Sequence, residues 1–242
     1  MANELSTAGV TVGFAIESVA GDRPELGYQR IPGVKSTPDL NPEPSSLQVT
    51  TLEDAEWHRY ILGLKDPSGA LPFTCNNTDE FQVAWYTLCE LSDKAREDEL
   101  ATWFVINVPN LGKSFYISAI PSKLGVIGME VDAVAEVQAY VSPNGIDGWQ
   151  TAPTIPAVYI TPIKTQKLTA LNSPVTLTPV LSEPLAIIDA VTSSDTNVAT
   201  VTTDGDDVVI TRVGAGKCDI LVETNSDTNH SVGKTIIRVE ST

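Results

Sequence analysis

The chain has 242 residues, of which 31 are acidic and 15 are basic, so its formal net charge is -16. This balance argues against a protein that grips duplex DNA, because that affinity comes from cations that neutralise phosphates. No run approaches the roughly 20 apolar residues that cross a bilayer, and the first residues lack the basic and apolar regions of a secretory signal. We therefore expect no membrane insertion, and assembly in a cytoplasm.

The first 52 residues alternate strand patterns with a proline-rich segment. Three strands are predicted here, at residues 9–16, 28–32 and 46–52. Between the second and third strands, the segment 34–46 contains Pro38, Pro42 and Pro44. Prolines at this density remove the donors that a β-ladder needs. We expect an extended, exposed loop there.

The following segment, residues 53–69, is charged and contains the neighbours Trp57, His58 and Tyr60. We expect a loop. Two alternatives are open for the aromatic rings: they are exposed, as is common where partners dock, or they fold back onto their own core.

A change of period then predicts one α-helix, over residues 78–92. Asn77 is its expected N-cap, and Glu80 stands close to the positive end of the helix. Apolar residues recur at helical spacing, as Phe81, Ala84, Trp85, Leu88 and Leu91. This stripe is expected to cover a sheet, and the charged run 93–99 to form a solvated turn. Residues 101–108 and 113–120 then predict a hairpin.

A long strand is predicted at residues 129–141, ended by the turn sequence Ser-Pro-Asn-Gly at 142–145. One of its faces is small and apolar, whereas the other carries Glu130, Asp132 and Glu136. That acidic face is either the solvated side of an antiparallel sheet or the inner wall of an assembled barrel or tube.

Residues 142–156 are rich in glycine and proline and are typical of a linker. Short strand patterns follow it, at residues 158–163, 175–179, 197–202, 207–213, 218–223 and 235–239. They predict a small β-sandwich. The expected fold is therefore mainly β, with a β-sandwich or barrel domain containing one packed helix at residues 1–156 and a small β-sandwich at residues 157–242.

Little in the sequence predicts catalysis. The two histidines, His58 and His230, fall in different predicted domains, so a Ser-His-Asp triad would have to span the linker. Cys75, Cys89 and Cys218 lack metal-ligand spacing and are expected to be buried thiols. No phosphate-binding loop or calcium loop is present. We expect no enzymatic activity, no cofactor and no metal.

Two resemblances bear on function. Residues 191–201 (Val-Thr-Ser-Ser-Asp-Thr-Asn-Val-Ala-Thr-Val), 213–220 (Val-Gly-Ala-Gly-Lys-Cys-Asp-Ile) and 236–239 resemble bacterial immunoglobulin-like domains. The first domain resembles the major tail tube proteins of long-tailed, lambda-like phages. The features that carry this second resemblance are the strand, helix and strand order, the hairpin ending at 115–120, and residues 125–137 running into 141–145.

The resemblance implies rings of subunits, commonly six, that stack into a hollow tail tube, with the immunoglobulin-like domain decorating its exterior. It further implies a place in the virion tail, contact with the tape measure, tail terminator and distal tail proteins, and DNA that passes through without specific binding.

Charge fits this expectation, because residues 1–160 have a net charge of -12 and residues 161–242 a net charge of -4. Carboxylates repel a polyanion, so we expect Glu130, Asp132 and Glu136 to face the lumen. The loops 34–46 and 53–69 and the amino-terminal arm are expected to make the ring-to-ring contacts. Their candidate contact residues are Pro38, Pro42, Pro44, Trp57, His58 and Tyr60.

The alternative function is a cell-surface adhesin that binds through the second domain. Sugar sites usually need aromatic side chains for stacking, and residues 161–242 contain no Trp, Tyr or Phe. The tube is therefore the favoured expectation, and the adhesin the alternative.

Overall fold

A computed structural model of the chain describes residues 9–41, 44–51, 53, 56–65, 69–126, 134–153 and 155–242. Within these residues the protein is mainly β with a single α-helix, as predicted. The first part of the chain contains β1 (Thr11–Ile16), β2 (Gln29–Arg30), β3 (Val34–Ser36), β4 (Pro44–Gln48), β5 (Tyr60–Lys65), β6 (Leu71–Asn76), α1 (Asp79–Glu97), β7 (Thr102–Val108), β8 (Lys113–Pro121) and β9 (Glu136–Thr151).

Seven of these strands form one sheet, in the order β2-β1-β7-β8-β9-β6-β3, which curls into a half-barrel. The two edge strands, β2 and β3, are consecutive in the chain. The Ile31 amide donates to the Val12 carbonyl (2.8 Å), and the Asn76 amide donates to the Gly33 carbonyl (2.8 Å), so one segment touches both edges. Because the chain from Arg30 to Val34 reaches at most about 14 Å, the two edges lie close together.

Helix α1 covers the concave side of the core. Phe81, Trp85 and Leu88 are fully buried, as the helical stripe predicts, among the sheet residues Phe14, Phe73, Phe104, Ile117 and Ala139. The rings of Phe73 and Phe104 stack with their centroids 6.0 Å apart.

The ends of α1 differ from the prediction. Its N-cap is Thr78, whose hydroxyl accepts from the Phe81 amide (3.1 Å), and Asn77 instead accepts from the side chain of Gln82. The helix also continues to Glu97, so the expected turn over the charged run is wrong up to that residue. Charges are tolerated because they lie on the solvated side, where Arg96 pairs with Asp93 one turn away (2.7 Å).

Strand β9 also differs from the prediction at its end. It runs through the expected turn at 142–145 and most of the expected linker, as far as Thr151. Its pairing with β8 shifts register twice, which leaves Asn144 and Asp147 without a partner residue. Such bulges absorb proline and glycine without ending a strand.

The last part of the chain contains β10 (Gln166–Leu168), β11 (Pro174–Leu177), β12 (Ile188–Ser193), β13 (Ala199–Asp204), β14 (Asp207–Arg212), β15 (Gly216–Thr224) and β16 (Lys234–Ser241). Two sheets, β10-β16-β15-β12 and β11-β14-β13, enclose a second core. We call residues 157–242 the sandwich; the boundary at 156 stays a prediction. The strand predicted at 158–163 is wrong, since Ile160 makes only an isolated bridge to Leu181 next to Pro162.

A buried carboxylate supports the sheet beside β1. Glu17 accepts from the indole of Trp103 (2.7 Å), the amide of Ala101 (3.0 Å) and the amide of Gly21 (3.1 Å). Burial by itself raises the pKa of Glu17, but these three hydrogen bonds outweigh it and hold the pKa below the ordinary 4.5.

We predict that Glu17→Gln lowers the free energy of unfolding by about 2 kcal/mol at neutral pH, because a charge-assisted network is lost. A carboxylate whose pKa is lowered on folding stabilises the folded state at pH values above its unfolded pKa. This stabilisation is lost as the pH falls through its folded pKa. The difference in the free energy of unfolding between variant and wild type should therefore shrink below about pH 4.5, the ordinary pKa of the group. Urea titrations at several pH values measure this difference. Glu25→Gln, at an exposed site, is the control, and an equal effect from both variants would contradict the prediction.

Candidate assembly surfaces

Strands β4 and β5 form an antiparallel pair that belongs to none of the other three sheets. We call residues 44–51, 53 and 56–65 the ribbon. It corrects the loop predicted at 53–69, inside which β5 lies, and the end of the loop predicted at 34–46, where β4 begins. Residues 46–48 of β4 confirm part of the strand predicted at 46–52. Neither core cluster of the described chain includes a ribbon residue.

Large apolar side chains are exposed on both faces of the ribbon. Leu47 pairs with Ile61, so these two share one face, whereas Leu62 and Tyr60 pair with Ser46 and Gln48 and share the other. Leu62 is 79% exposed, and the remaining three are more than half exposed. A ribbon with two apolar faces is typical of an interaction surface.

The ribbon tip brings together the three aromatic candidates of the sequence. Trp57 is 82% exposed and Tyr60 is also exposed, so the alternative in which they fold back onto the core is wrong. His58 lies edge-on to Tyr60, and its Nδ1 is 2.8 Å from Nε2 of Gln48 on the opposite strand. Thr50 accepts from the Arg59 amide (3.0 Å). Polar bonds thus hold the tip while Trp57 points into solvent.

The proline candidates are less exposed than the aromatic ones. Pro44 begins β4 and is half-buried, and Pro38 is half-buried in the preceding segment. Pro42 lies outside the described residues.

The predicted alternation of β9 is confirmed from residue 136 to residue 141. Val137, Ala139 and Val141 are buried, and their neighbours Glu136, Gln138 and Tyr140 are exposed on the opposite face. Glu136 makes an ion pair with Lys35 of β3, which offsets its charge. Glu130 and Asp132 lie outside the described residues.

The second half of β9 has a free edge. Strand β6 pairs with residues 136–141, and β8 pairs with residues 141–151 on the other side. Residues 142–151 therefore have no strand beside them on the β6 side among the strands described. Ile146 and Trp149 are exposed along this stretch. An open edge of this length is a template for pairing with another chain.

The sandwich is attached to the outer side of α1. The Tyr86 hydroxyl donates to Asp219 (2.8 Å), and the Arg238 guanidinium lies 4.0 Å from the centre of the Tyr86 ring. Burial, followed by the bond to Asp219, raises the pKa of Tyr86 to about 12. The Ile236 amide donates to the buried Thr87 hydroxyl (3.2 Å). Salt bridge Lys164–Asp79 and the Tyr159–Glu80 hydrogen bond add contacts at the start of the helix.

The described residues contain no group of three side chains suited to a metal ion. The three cysteines are free and buried, and burial raises the pKa of Cys75 and that of Cys89 to about 12, so both stay protonated. His58 lies on the ribbon, whereas His230 is buried in the sandwich with Nε2 3.4 Å from Asp227. Within the described chain, no helix is both long and apolar enough to span a membrane.

Comparison with known proteins identifies no relative of this chain. No family model matches the chain, and no curated protein matches it significantly.

We predict that Thr87→Val lowers the free energy of unfolding by about 1–3 kcal/mol, because the buried Ile236 amide loses its acceptor while the side-chain shape is kept. Limited proteolysis should also cut near residue 156 faster in the variant. Thr203→Val, at an exposed position of β13, is the matched control. Unchanged stability and cleavage in Thr87→Val would mean that this contact does not attach the sandwich.

Proposed function

We propose that this protein is a structural subunit without enzymatic activity, which self-associates into rings that stack as the tube of a phage tail. The observation that carries the proposal is the ribbon, with large apolar side chains exposed on two faces. Apolar surface gains about 25 cal/mol per Å² when removed from water, and both faces are available to neighbouring subunits.

The free edge of β9 supports the same proposal. Backbone groups along residues 142–151 need partners, and a second copy of the chain offers strands to pair with them. In such a ring the ribbon joins successive rings, and β9 contributes to the wall. Pro38, Pro42 and Pro44 lie on or before the ribbon and belong to the same contact region.

The exposed face of β9, opposite the face that α1 covers, is the proposed wall of the lumen. Glu136 lies on it, and Glu130 and Asp132 are proposed to share it. Lys35 offsets the charge of Glu136, so the proposed repulsion toward DNA depends on Glu130 and Asp132. The sandwich, attached to the outer side of α1, decorates the exterior. The proposed partners are further copies, the tape measure, terminator and distal tail proteins, and DNA in passage; the location is the virion tail after assembly in the host cytoplasm.

We predict that Trp57→Ala combined with Leu62→Ser abolishes tube formation and leaves a folded monomer, because the two side chains are 82% and 79% exposed within the subunit. Negative-stain electron microscopy over a range of protein and salt concentrations measures tubes, and circular dichroism measures folding. Deletion of residues 53–66 should act in the same way, since neither core contains ribbon residues.

The matched control is Leu185→Ser, at an exposed leucine of the sandwich that is 77% accessible; it should form tubes normally. Tubes from the ribbon variant would exclude the ribbon as the assembly surface. Monomers from the wild-type chain at all concentrations would favour the alternative, a surface adhesin.

We predict that wild-type tubes retain almost no duplex DNA, whereas tubes of the triple variant Glu130→Lys, Asp132→Lys and Glu136→Lys retain it. Each added cation that contacts a phosphate steepens the fall of the logarithm of the binding constant with the logarithm of salt concentration, by a slope of about -0.9 per contact. Filter retention of labelled DNA across a salt series measures this effect. Lysines at Asp204, Asp206 and Asp207 of the sandwich, of which the first two are exposed and the third is half-buried, change the net charge equally. Equal retention by both triple variants would place the three carboxylates outside the lumen.

A further inference from the structure

Strand β9 contains an Asn-Gly pair at one of its two bulges. Asn144 is the extra residue of that bulge and has no partner residue in β8, whereas Gly145 lies opposite Ser118. The side chain of Asn144 is exposed and makes no hydrogen bond to the described part of the chain. This pair also lies in the half of β9 that has no strand beside it on the β6 side among the strands described.

An asparagine followed by glycine can react with its own backbone. The Gly145 nitrogen forms a bond to Cγ of Asn144 while the bond from Cγ to Nδ2 breaks, and the amide proton of Gly145 leaves with Nδ2 as ammonia. Water then opens the resulting succinimide ring at either of its two carbonyl carbons, which gives aspartate or isoaspartate. Glycine favours the attack because it has no Cβ to obstruct it, and the two groups are already adjacent, so the reaction is intramolecular.

The surroundings leave room for the ring. Apart from its chain neighbours, an added Cβ at Gly145 would meet only Cβ of Ser118 within 4 Å, at 3.8 Å. A groove of about 440 Å³ runs past residues 144–147. Water, which opens the ring in the second step, therefore reaches the site.

The other bulge of β9 provides a contrast. Its extra residue, Asp147, also precedes a glycine, but Nε of Arg23 lies 2.8 Å from its carboxylate. Ring closure at Asp147 would have to break this ion pair. The Asn144 side chain has no such partner and is free to turn toward its own backbone.

We propose that Asn144 is a site of spontaneous modification, which converts to aspartate and isoaspartate with water as the only co-reactant. Either product adds a carboxylate to the open edge of β9. Isoaspartate also adds a carbon atom to the main chain, which displaces the backbone groups that follow it. The modification therefore changes both the charge and the hydrogen-bonding pattern of this edge.

Peptide mapping by mass spectrometry tests the site. The native wild-type chain is incubated at mildly alkaline pH, amide loss at each asparagine is followed over time, and chromatography separates the aspartate and isoaspartate peptides. Asn144 should lose its amide at least tenfold faster than Asn172 and Asn197, which are also exposed but precede serine and valine. Equal rates at the three residues would overturn the proposal.

A single substitution tests the mechanism in the folded chain. The φ of Gly145 lies outside the left-handed region, and the added methyl group has space, so Gly145→Ala should fold normally, as circular dichroism would verify. It should slow the modification of Asn144 at least tenfold. Gly125→Ala, at another glycine without positive φ or close neighbours, is the matched control and should not change the rate. An unchanged rate in Gly145→Ala would contradict attack by the Gly145 nitrogen.

The proposed self-assembly links this site to tube formation, and this link rests on the proposed function. Pairing of residues 142–151 with a second copy would hold the backbone of Asn144, so assembled tubes should be modified at least tenfold more slowly than monomers. Equal rates in tubes and monomers would overturn the link and place this edge outside the assembly contacts. Rapid modification of a wild-type chain that forms no tubes would support the site and count against the tube.

Discussion

The first part of the structure depends on residues 29–36, which link the two edges of its curled sheet. This segment bonds to β1 at one end and to β6 at the other, so the two edges of a seven-stranded sheet are joined through a few residues of chain. The curl creates the concave surface that α1 fills with Phe81, Trp85 and Leu88. Pairing with β2 and β3 also satisfies backbone groups of β1 and β6 that would otherwise be open.

The proposed function depends on surfaces that the curled sheet leaves uncovered. The ribbon lies outside this sheet and exposes apolar side chains, and the second half of β9, paired with β8 on one side, has an open edge on the other. The sandwich covers the outer face of α1, which leaves the opposite face of the sheet available as a lumen wall. The proposed self-association uses all three features.

Local pattern was a good guide where one face is buried. The helical spacing from Phe81 to Leu88 and the alternation at residues 136–141 both follow from burial on one side, and the structure confirms them. The sequence pattern was a poor guide where strand pairing overrides local propensity. Strand β9 continues past Pro143 and Gly145 because bulges accommodate them, and β5 forms inside a charged segment because it pairs with β4. The strand expected at 158–163 is also absent, since Ile160 makes only an isolated bridge to Leu181.

The sequence by itself determined the mainly β class, the single helix, the acidic balance and the candidate aromatics Trp57 and Tyr60, because these follow from composition and short-range periodicity. Only the tertiary structure decided that the two rings are exposed, that Glu136 is paired with Lys35, and that the sandwich is attached to α1. Each of these depends on contacts between residues far apart in the chain, such as Lys35 with Glu136 or Thr87 with Ile236, and no local pattern specifies which distant residues will meet.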